Sequence, residues 1–238
     1  MIDLQRLIEI DRSITLAING SDSLFLDGVA GIFTSVVIWL PLALVLLYMI
    51  VRNNNTKRMI WLIVMIALTI VCCDQISSSL FKPLVARFRP TQDPVMLHLV
   101  DKVNGYTGGQ YGFVSSHAAN SFGIAVFVIW LVRDRFFTFS VLLWAVLNSL
   151  IRTYLGVHFF GDILCGAILG AVIGSAIYWL YVLFSGSRNL IIHKHTSENL
   201  FTQSGYLLND VALFSSTLFS TFVLIILIAL VRQGILPQ

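Results

Sequence analysis

Six long apolar segments dominate this sequence and limit what it can fold into. They span residues 24–51, 59–81, 117–133, 136–157, 160–185 and 207–231. A helix that crosses a bilayer needs about 20 mostly apolar residues, and these segments have or approach that length. Lipid offers the backbone no hydrogen-bond partners, so segments of this kind satisfy their peptide groups as helices. We therefore predict an all-α integral membrane protein with six transmembrane helices, the first of them kinked at Pro41.

The composition supports a membrane location. Of the 238 residues, 57% are hydrophobic and 11% are charged, whereas soluble domains typically carry about 25% charged residues. The net charge is only +3, and no basic tract with interleaved aromatics indicates nucleic-acid binding. Cys72, Cys73 and Cys165 have neither a zinc-ligand nor a disulfide-framework spacing, so we expect small buried residues. No linker, repeat or low-complexity tract divides the chain, which we treat as a single domain, residues 1–238.

The first twenty residues are too polar to cross a membrane, but they show a helical periodicity. One helical face carries the apolar residues Leu4, Leu7, Ile8, Ile10 and Ile14. The opposite face carries Gln5, Arg6, Glu9 and Arg12, and Asp3 and Asp11 interrupt the apolar face. This pattern predicts an N-terminal amphipathic helix at the membrane interface rather than a cleavable signal peptide.

Basic residues divide the connections between the predicted helices into two sets. Residues 52–58, 133–135 and 186–205 each carry two or three Lys or Arg residues, and the positive-inside rule makes that side cytoplasmic. Both termini and the connection 82–116 would then face outward, and His193 and His195 would lie on the inner side. Four basic residues oppose the rule on the outer side, which suggests a function there: Lys82, Arg87, Arg89 and Arg152.

Three polar clusters border the outer ends of the predicted helices. They are KPLVARFRP at residues 82–90, SSH at 115–117 and RTYLGVHFFGD at 152–162. If Lys82, Arg89 and Arg152 converge, they would bind a multiply charged anion, and Arg matches phosphate oxygens in a bidentate geometry. Ser115 and Ser116 precede a helix, whose free N–H groups also attract anions.

Two histidines and an aspartate complete the set. His158 and Asp162 are four residues apart and share one face if that segment is helical. A carboxylate that accepts from one imidazole nitrogen leaves the other nitrogen as a nucleophile or base. His117, from a different segment, would protonate a leaving oxygen. No carboxylate cluster suits a divalent cation, so we expect no metal and no cofactor, with the three cations stabilising the phosphoryl charge.

Together these residues resemble the three signature motifs of the type 2 phosphatidic acid phosphatase superfamily. The motifs read K-x6-R-P at residues 82–90, S-x-H at 115–117 and R-x5-H-x3-D at 152–162. The resemblance covers about residues 59–185, the second to the fifth predicted helix. It departs from the family pattern at Val114, Ser116 and Ile151, where the family usually has Pro, Gly and Ser.

The resemblance implies a role for each matched residue. The expected phosphate-binding residues are Lys82, Arg89, Ser115, Ser116 and Arg152. His158 would be the nucleophile that forms a phosphohistidine, and Asp162 would orient it. His117 would be the general acid and then the base that activates water.

The implied activity is metal-independent removal of a phosphate from a membrane lipid phosphate or pyrophosphate at the outer, periplasmic face. We expect a bacterial envelope lipid, and four substrates stay open: undecaprenyl pyrophosphate, phosphatidylglycerol phosphate, phosphatidic acid and a lipid A phosphate. Two alternatives are a lipid-linked phosphotransferase using the same site and a non-enzymatic anion or lipid transporter, which would not need the His158–Asp162 pair. The oligomeric state is not indicated.

Some features near the motifs receive no catalytic role from the sequence. We interpret Arg87 as a surface or headgroup contact. Asp74 lies about two turns below Lys82, and a functional and a packing role are equally open for this intramembrane carboxylate. Residues 91–113 form the long outer connection, in which PVMLHLV is expected to form a short helix, and whether the connection covers the site stays open.

Overall fold

The structure, a computed structural model, describes residues 4–21, 23–185 and 200–233. Within these ranges the regular structure is helical and no β-strand forms, so the all-α fold class is confirmed. The helices are α1 (Leu4–Ile18), α2 (Leu24–Phe33), α3 (Leu40–Asn53), α4 (Thr56–Gln75), α5 (Lys82–Val85), α6 (Ser116–Val132), α7 (Arg135–Tyr154), α8 (Phe160–Ser185) and α9 (Leu208–Arg232). His193 and His195, predicted for an inner connection, lie outside the described residues.

Five helical stretches in the described ranges are long and apolar enough to cross a membrane. They are Val36–Asn53, Thr56–Val85, Arg135–Tyr154, Phe160–Ser185 and Leu208–Arg232. The third predicted span corresponds to α6, a shorter apolar helix of 17 residues that packs against α4, α7 and α8. The chain is an integral membrane protein, and the count of six spans stays a prediction.

The first predicted span, residues 24–51, is two helices and not one kinked helix. The first of them, α2, ends at Phe33, and a short 3₁₀ turn at Val37–Trp39 leads into α3. The Trp39 indole N–H donates to the Phe33 carbonyl oxygen across the break at 2.8 Å. Pro41 lies in the first turn of α3, where its missing N–H would have no helical partner. It therefore begins a helix instead of bending one.

The first cation of the predicted site is carried at the end of a long continuous helix. This helix begins as α4, widens into a π-helical turn at Ile76–Phe81 and ends as α5. Such turns are rare and frequently occur at functional sites. Ala86 then takes a left-handed conformation, with φ of 48°, and the chain leaves the bundle.

Small residues bring α6 and α8 into backbone contact. Gly166, Gly170 and Gly174 lie one turn apart on α8 and face α6. A Cβ atom on Gly166 would lie 2.5 Å from the Ser115 carbonyl oxygen. Small residues in this spacing let membrane helices approach closely. Because the Ser115 N–H also donates to the Asp162 carbonyl oxygen at 3.0 Å, the contact fixes the beginnings of α6 and α8 relative to each other.

The amphipathic helix predicted at the N-terminus is confirmed as α1. Its apolar residues Leu4, Leu7, Ile8, Ile10 and Ile14 are exposed. Asp11 and Thr15, which lie one turn apart, face the protein instead: Asp11 accepts the N–H of Gly161 at 2.7 Å, and Thr15 is buried and accepts that of Phe160 at 3.0 Å. Arg12 forms an ion pair with Asp93 at 3.3 Å. Through these contacts α1 lies over the same end of the bundle as the three motifs.

The opposite end of the bundle has its own polar cluster, centred on Asp210. This buried carboxylate accepts hydrogen bonds from Arg52 at 2.9 Å and Asn53 at 2.7 Å. Ser204 donates to the carbonyl oxygen of Val132 at 2.6 Å. The connections 53–56, 132–135 and 200–208 thus meet at the end remote from the motifs, as the charge pattern predicts.

Candidate active site

The eight residues predicted for the site lie at one end of the bundle, on different elements. They are Lys82 on α5, Arg89 beyond it, Ser115, Ser116 and His117 at the start of α6, Arg152 on the last turn of α7, His158 between α7 and α8, and Asp162 on the first turn of α8. Lys82 donates to the Ser116 hydroxyl at 2.9 Å, Arg89 donates to the Val157 carbonyl oxygen at 3.2 Å, and the Ser115 N–H donates to the Asp162 carbonyl oxygen at 3.0 Å. The structure therefore brings all three motifs together.

Neutral oxygen atoms orient two of the cations. Lys82 Nζ donates to the hydroxyls of Ser78 at 3.1 Å and Ser116 at 2.9 Å. Arg89 donates to the carbonyl oxygens of Tyr111 at 3.1 Å and Val157 at 3.2 Å. These bonds hold the positive groups in place without neutralising them.

Arg152 is the most deeply buried of the three cations. It is 7% exposed, and its Nε atom has no hydrogen-bond partner. Among the described residues, no carboxylate forms an ion pair with Arg152, Lys82 or Arg89. Buried charges are normally paired, since burying one without a partner is unfavourable. This cluster therefore attracts an anion.

The start of α6 adds neutral donors to the cations. Ser115 is the N-terminal cap of α6, and its hydroxyl accepts the N–H of Ala118 at 3.4 Å. The first-turn N–H groups of Ser116 and His117 have no partner within the helix. Free N–H groups at the positive end of a helix dipole bind anions. The chain enters this helix through a cis peptide bond between Phe113 and Val114.

His158 and Asp162 form a fully buried pair, with 1% and 0% of their surfaces exposed. His158 precedes α8, so the pair lies in the turn that begins the helix and not along a helical face. His158 Nδ1 and Asp162 Oδ2 are 3.5 Å apart, longer than an ordinary hydrogen bond. Such contacts often tighten only when substrate binds. Burial lowers the pKa of the His158 ring below its ordinary value, and the Asp162 carboxylate partly opposes the shift.

His117 is the exposed member of the cluster. Its side chain lines a cavity of about 440 Å³ together with Arg152, Tyr106, Asn104 and Thr34. The cavity lies between α2, α7 and the outer connection, and polar groups make up much of its wall. It offers room for a hydrophilic headgroup next to the cations.

The outer connection packs directly against the His158–Asp162 pair. Phe88 and Tyr111 pair across it, which brings Gly112 over the site. A Cβ atom on Gly112 would lie 2.7 Å from Asp162 Oδ2 and 3.5 Å from His158 Nδ1. The stretch PVMLHLV forms successive turns and not the expected short helix, and its residue Met96 packs beside Phe159.

Sequence reasoning missed two residues that contact this site. Arg87 is not a free surface residue, since it donates to Asp162 Oδ1 at 2.9 Å and to Asp11 Oδ2 at 2.7 Å. The partners are 75 and 76 residues away along the chain. Asp11 is the second missed residue. Its position in the sequence was itself an indication, because a carboxylate on the apolar face of an amphipathic helix suggests a buried partner.

Membrane-spanning helices, three cations without a carboxylate partner in the described part of the chain, and a buried His–Asp pair at one end define an integral membrane phosphatase. The chain belongs to the PAP2 superfamily, whose family model matches residues 58–185. The family and its relatives make it a hydrolase that removes phosphate from membrane lipids.

Two relatives agree with this assignment, and a solved structure shares the fold. The chain is 42% identical to a lipid A 4′-phosphatase of Bacteroides thetaiotaomicron over 74% of its own length and 79% of that protein. It is 34% identical to a lipid A 4′-phosphatase of Porphyromonas gingivalis over 78% of each chain. The fold matches the crystal structure of a transmembrane PAP2-type phosphatidylglycerolphosphate phosphatase from Bacillus subtilis, with a TM-score of 0.54 at 19% identity, over 80% of this chain and 91% of that one.

Proposed function

We propose that the chain removes the 4′-phosphate of lipid A, without a metal ion, through a phosphohistidine on His158. The observation that carries this proposal is the buried His158–Asp162 pair enclosed by cations that have no described carboxylate partner. The two relatives whose alignments cover 74% and 78% of this chain are lipid A 4′-phosphatases, which favours lipid A among the four candidate lipids.

The position of the site suits a large amphiphilic substrate. The cations lie at helix ends, where a phosphate can be bound while acyl chains stay in the bilayer. The cavity beside them is lined by Asn104, Tyr106 and Thr34, whose polar groups can hydrogen-bond sugar hydroxyls. Lateral approach from the membrane would therefore place a phosphorylated sugar next to His117 and Arg152.

In the first step, the His158 ring nitrogen remote from Asp162 attacks phosphorus. A P–N bond forms and the P–O bond to the sugar breaks, while His117 gives its proton to the leaving oxygen. Lys82, Arg89 and Arg152 hold the phosphoryl oxygens, whose charge is stabilised in the transition state. Asp162 stabilises the positive charge that develops on the His158 ring.

In the second step, water replaces the sugar and attacks the phosphohistidine. His117, now neutral, takes a proton from the water, an O–P bond forms and the P–N bond breaks. The bonding electrons return to the His158 ring, and inorganic phosphate is released. The same two histidines thus complete a cycle in which only water is consumed.

Charge placement supports a periplasmic site. Arg52, Lys57 and Arg58 flank the connection between α3 and α4, and Arg133 and Arg135 flank that between α6 and α7. Both connections lie at the end of the bundle remote from the site. By the positive-inside rule that end is cytoplasmic, so the site faces the periplasm of an inner-membrane protein.

The direct test uses the purified protein in detergent with lipid A phosphorylated at its 1 and 4′ positions. Phosphatidic acid, phosphatidylglycerol phosphate and undecaprenyl pyrophosphate serve as comparison substrates, each with and without a chelator. We expect phosphate release from the 4′ position of lipid A, unchanged by the chelator. Preference for another lipid would overturn the substrate, and labelled phosphate in an organic product would indicate a transferase.

A further inference from the structure

Arg87 links the His158–Asp162 pair to the N-terminal helix. Its guanidinium donates to Asp162 Oδ1 at 2.9 Å and to Asp11 Oδ2 at 2.7 Å. It also lies over the Phe159 ring, with Cζ 3.9 Å from the ring centroid. One face and both terminal nitrogens of the guanidinium are therefore engaged. Guanidinium groups held in this way have little freedom to move.

Both carboxylate oxygens of Asp11 also accept hydrogen bonds. While Oδ2 accepts from Arg87, Oδ1 accepts the N–H of Gly161 at 2.7 Å. Gly161 directly precedes Asp162, so α1 contacts the site through a side chain and through the backbone. A Cβ atom on Gly161 would lie 2.8 Å from Asp11 Oδ2, which shows how closely α1 approaches the start of α8.

The net charge of Asp162, Arg87 and Asp11 together affects the His158 ring. Arg87 alone beside Asp162 would draw the carboxylate's negative charge away from the histidine. Asp11 offsets the Arg87 charge, so the three groups together keep a net negative charge on the Asp162 side of the ring. A single negative partner is what a histidine needs when it becomes cationic during attack.

We infer that Arg87 and Asp11 are positioning residues for the His158–Asp162 pair, and that α1 is part of the active site. The inference deepens the proposed function and depends on the nucleophilic role of His158. Arg87 holds the Asp162 carboxylate toward His158 Nδ1, and Asp11 holds and neutralises Arg87. Residues 4–18 lie outside the region matched by the family model, so this chain supplies the contact from a segment beyond that region.

The position of α1 gives the contact a further consequence. Its apolar residues are exposed, including Leu4 at 71% and Leu7 at 47%. A helix of this kind buries such residues in the membrane interface. The membrane surface that holds the lipid substrate therefore also holds the helix that positions the Asp162 carboxylate.

The test compares Asp11→Asn with Arg12→Gln, a neighbouring change on the same helix. Arg12→Gln removes the ion pair with Asp93 and touches neither Arg87 nor Asp162. We expect Asp11→Asn to lower kcat on the order of 10- to 100-fold, by analogy with groups that orient metal-bound histidines, with KM within about twofold. Arg12→Gln should keep the wild-type kcat, and both variants should show similar melting temperatures.

A pH profile separates positioning from a merely structural contribution. The charged and titratable groups around the His158 ring are Asp162, Arg89, Lys82, His117 and Arg152, and the variants leave them unchanged. Arg87→Gln removes a positive charge, so the acid limb of kcat/KM should move to higher pH. Asp11→Asn removes a negative charge, so the limb should move to lower pH. A structural effect would move neither limb.

Arg87→Lys is the second variant, because it keeps the charge and the fold. A lysine ammonium cannot span two carboxylates as a guanidinium does, so kcat should fall while KM stays near the wild-type value. Equal kcat values for Asp11→Asn and Arg12→Gln, with unmoved acid limbs, would overturn the inference. Wild-type activity in His158→Ala would instead overturn the proposed function on which it depends.

Discussion

Arg152 combines deep burial with the lack of a described counter-ion. A structural arginine at 7% exposure would normally be paired, because an isolated buried charge is destabilising. Its charge is therefore best explained by an anion that binds beside it. Sites that hold unfavourable charge for function are often less stable than they could be.

The burial of Arg152 predicts opposite effects of one substitution on activity and on stability. Replacing it with Met should lower kcat/KM about 10²- to 10³-fold, the usual effect of losing a transition-state donor. The same change removes an unpaired buried charge, so Tm in detergent should rise or stay level. A fall in Tm as large as that of a core truncation would contradict this account of the site.

The depressed pKa of His158 predicts where activity is lost in acid. The attacking ring must be neutral, so activity falls as the pH drops through its pKa. Because burial lowers that pKa, the acid limb of kcat/KM should lie below the ordinary histidine value of about 6.5. The measurement is a pH profile with lipid A as substrate.

Asp162→Asn provides the matched comparison for that profile. The carboxylate opposes the effect of burial, so its loss should move the acid limb to still lower pH while kcat falls on the order of 10²-fold or more. Titration of the substrate is common to both enzymes and cancels in the comparison. A limb that moves to higher pH would contradict the assignment of His158 as the group titrated.

At the scale of elements, the contact between α6 and α8 sets the geometry of the site. The phosphate-binding N-terminus belongs to α6 and the orienting carboxylate to α8. Gly166 permits their approach, since a Cβ there would be 2.5 Å from the Ser115 carbonyl oxygen. That oxygen belongs to backbone and cannot move aside as a flexible side chain can.

Gly166→Ala should therefore destabilise the protein by about 1–3 kcal/mol, the range for overpacking a close contact. It should also reduce kcat, because the helix that carries Ser116 and His117 has to shift. Gly109→Ala is the control, as a Cβ atom there would meet nothing within 4 Å. Thermal unfolding in detergent measures both, and an equal Tm for the two variants would contradict the packing argument.

The sequence predicted most of the helices and the group of eight site residues, for different physical reasons. Residues 163–184 are almost entirely apolar, and their length alone marks the helix that the structure places there. Apolar content could not reveal the break after Phe33, because the helices on both sides of it are hydrophobic. Arg87 was misjudged because its partners lie 75 or more residues away, and only the folded chain brings Asp11 to it.

At the scale of the whole molecule, the two polar ends of the bundle are chemically distinct. The site end carries cations that lack described carboxylate partners, whereas Asp210 at the other end is paired with Arg52 at 2.9 Å. We interpret the paired end as cytoplasmic. The proposed substrate then meets the site from the periplasmic leaflet.

This orientation predicts which surface positions a membrane-impermeant thiol reagent reaches in spheroplasts. Lys102 lies on the outer connection and Lys57 at the start of α4, and both are exposed. Lys102→Cys should react in intact spheroplasts, and Lys57→Cys only after they are permeabilised. The unsubstituted protein is the control for its three native cysteines. The reverse labelling pattern would contradict a periplasmic site.

The most direct test of the central claim is to trap the phosphorylated enzyme. Purified protein is mixed with lipid A carrying radioactive 4′-phosphate and quenched in alkali, which preserves phosphohistidine. We predict label on the peptide that contains His158 in the wild type and none in His158→Ala. Full turnover by His158→Ala, or label on another residue, would contradict the account.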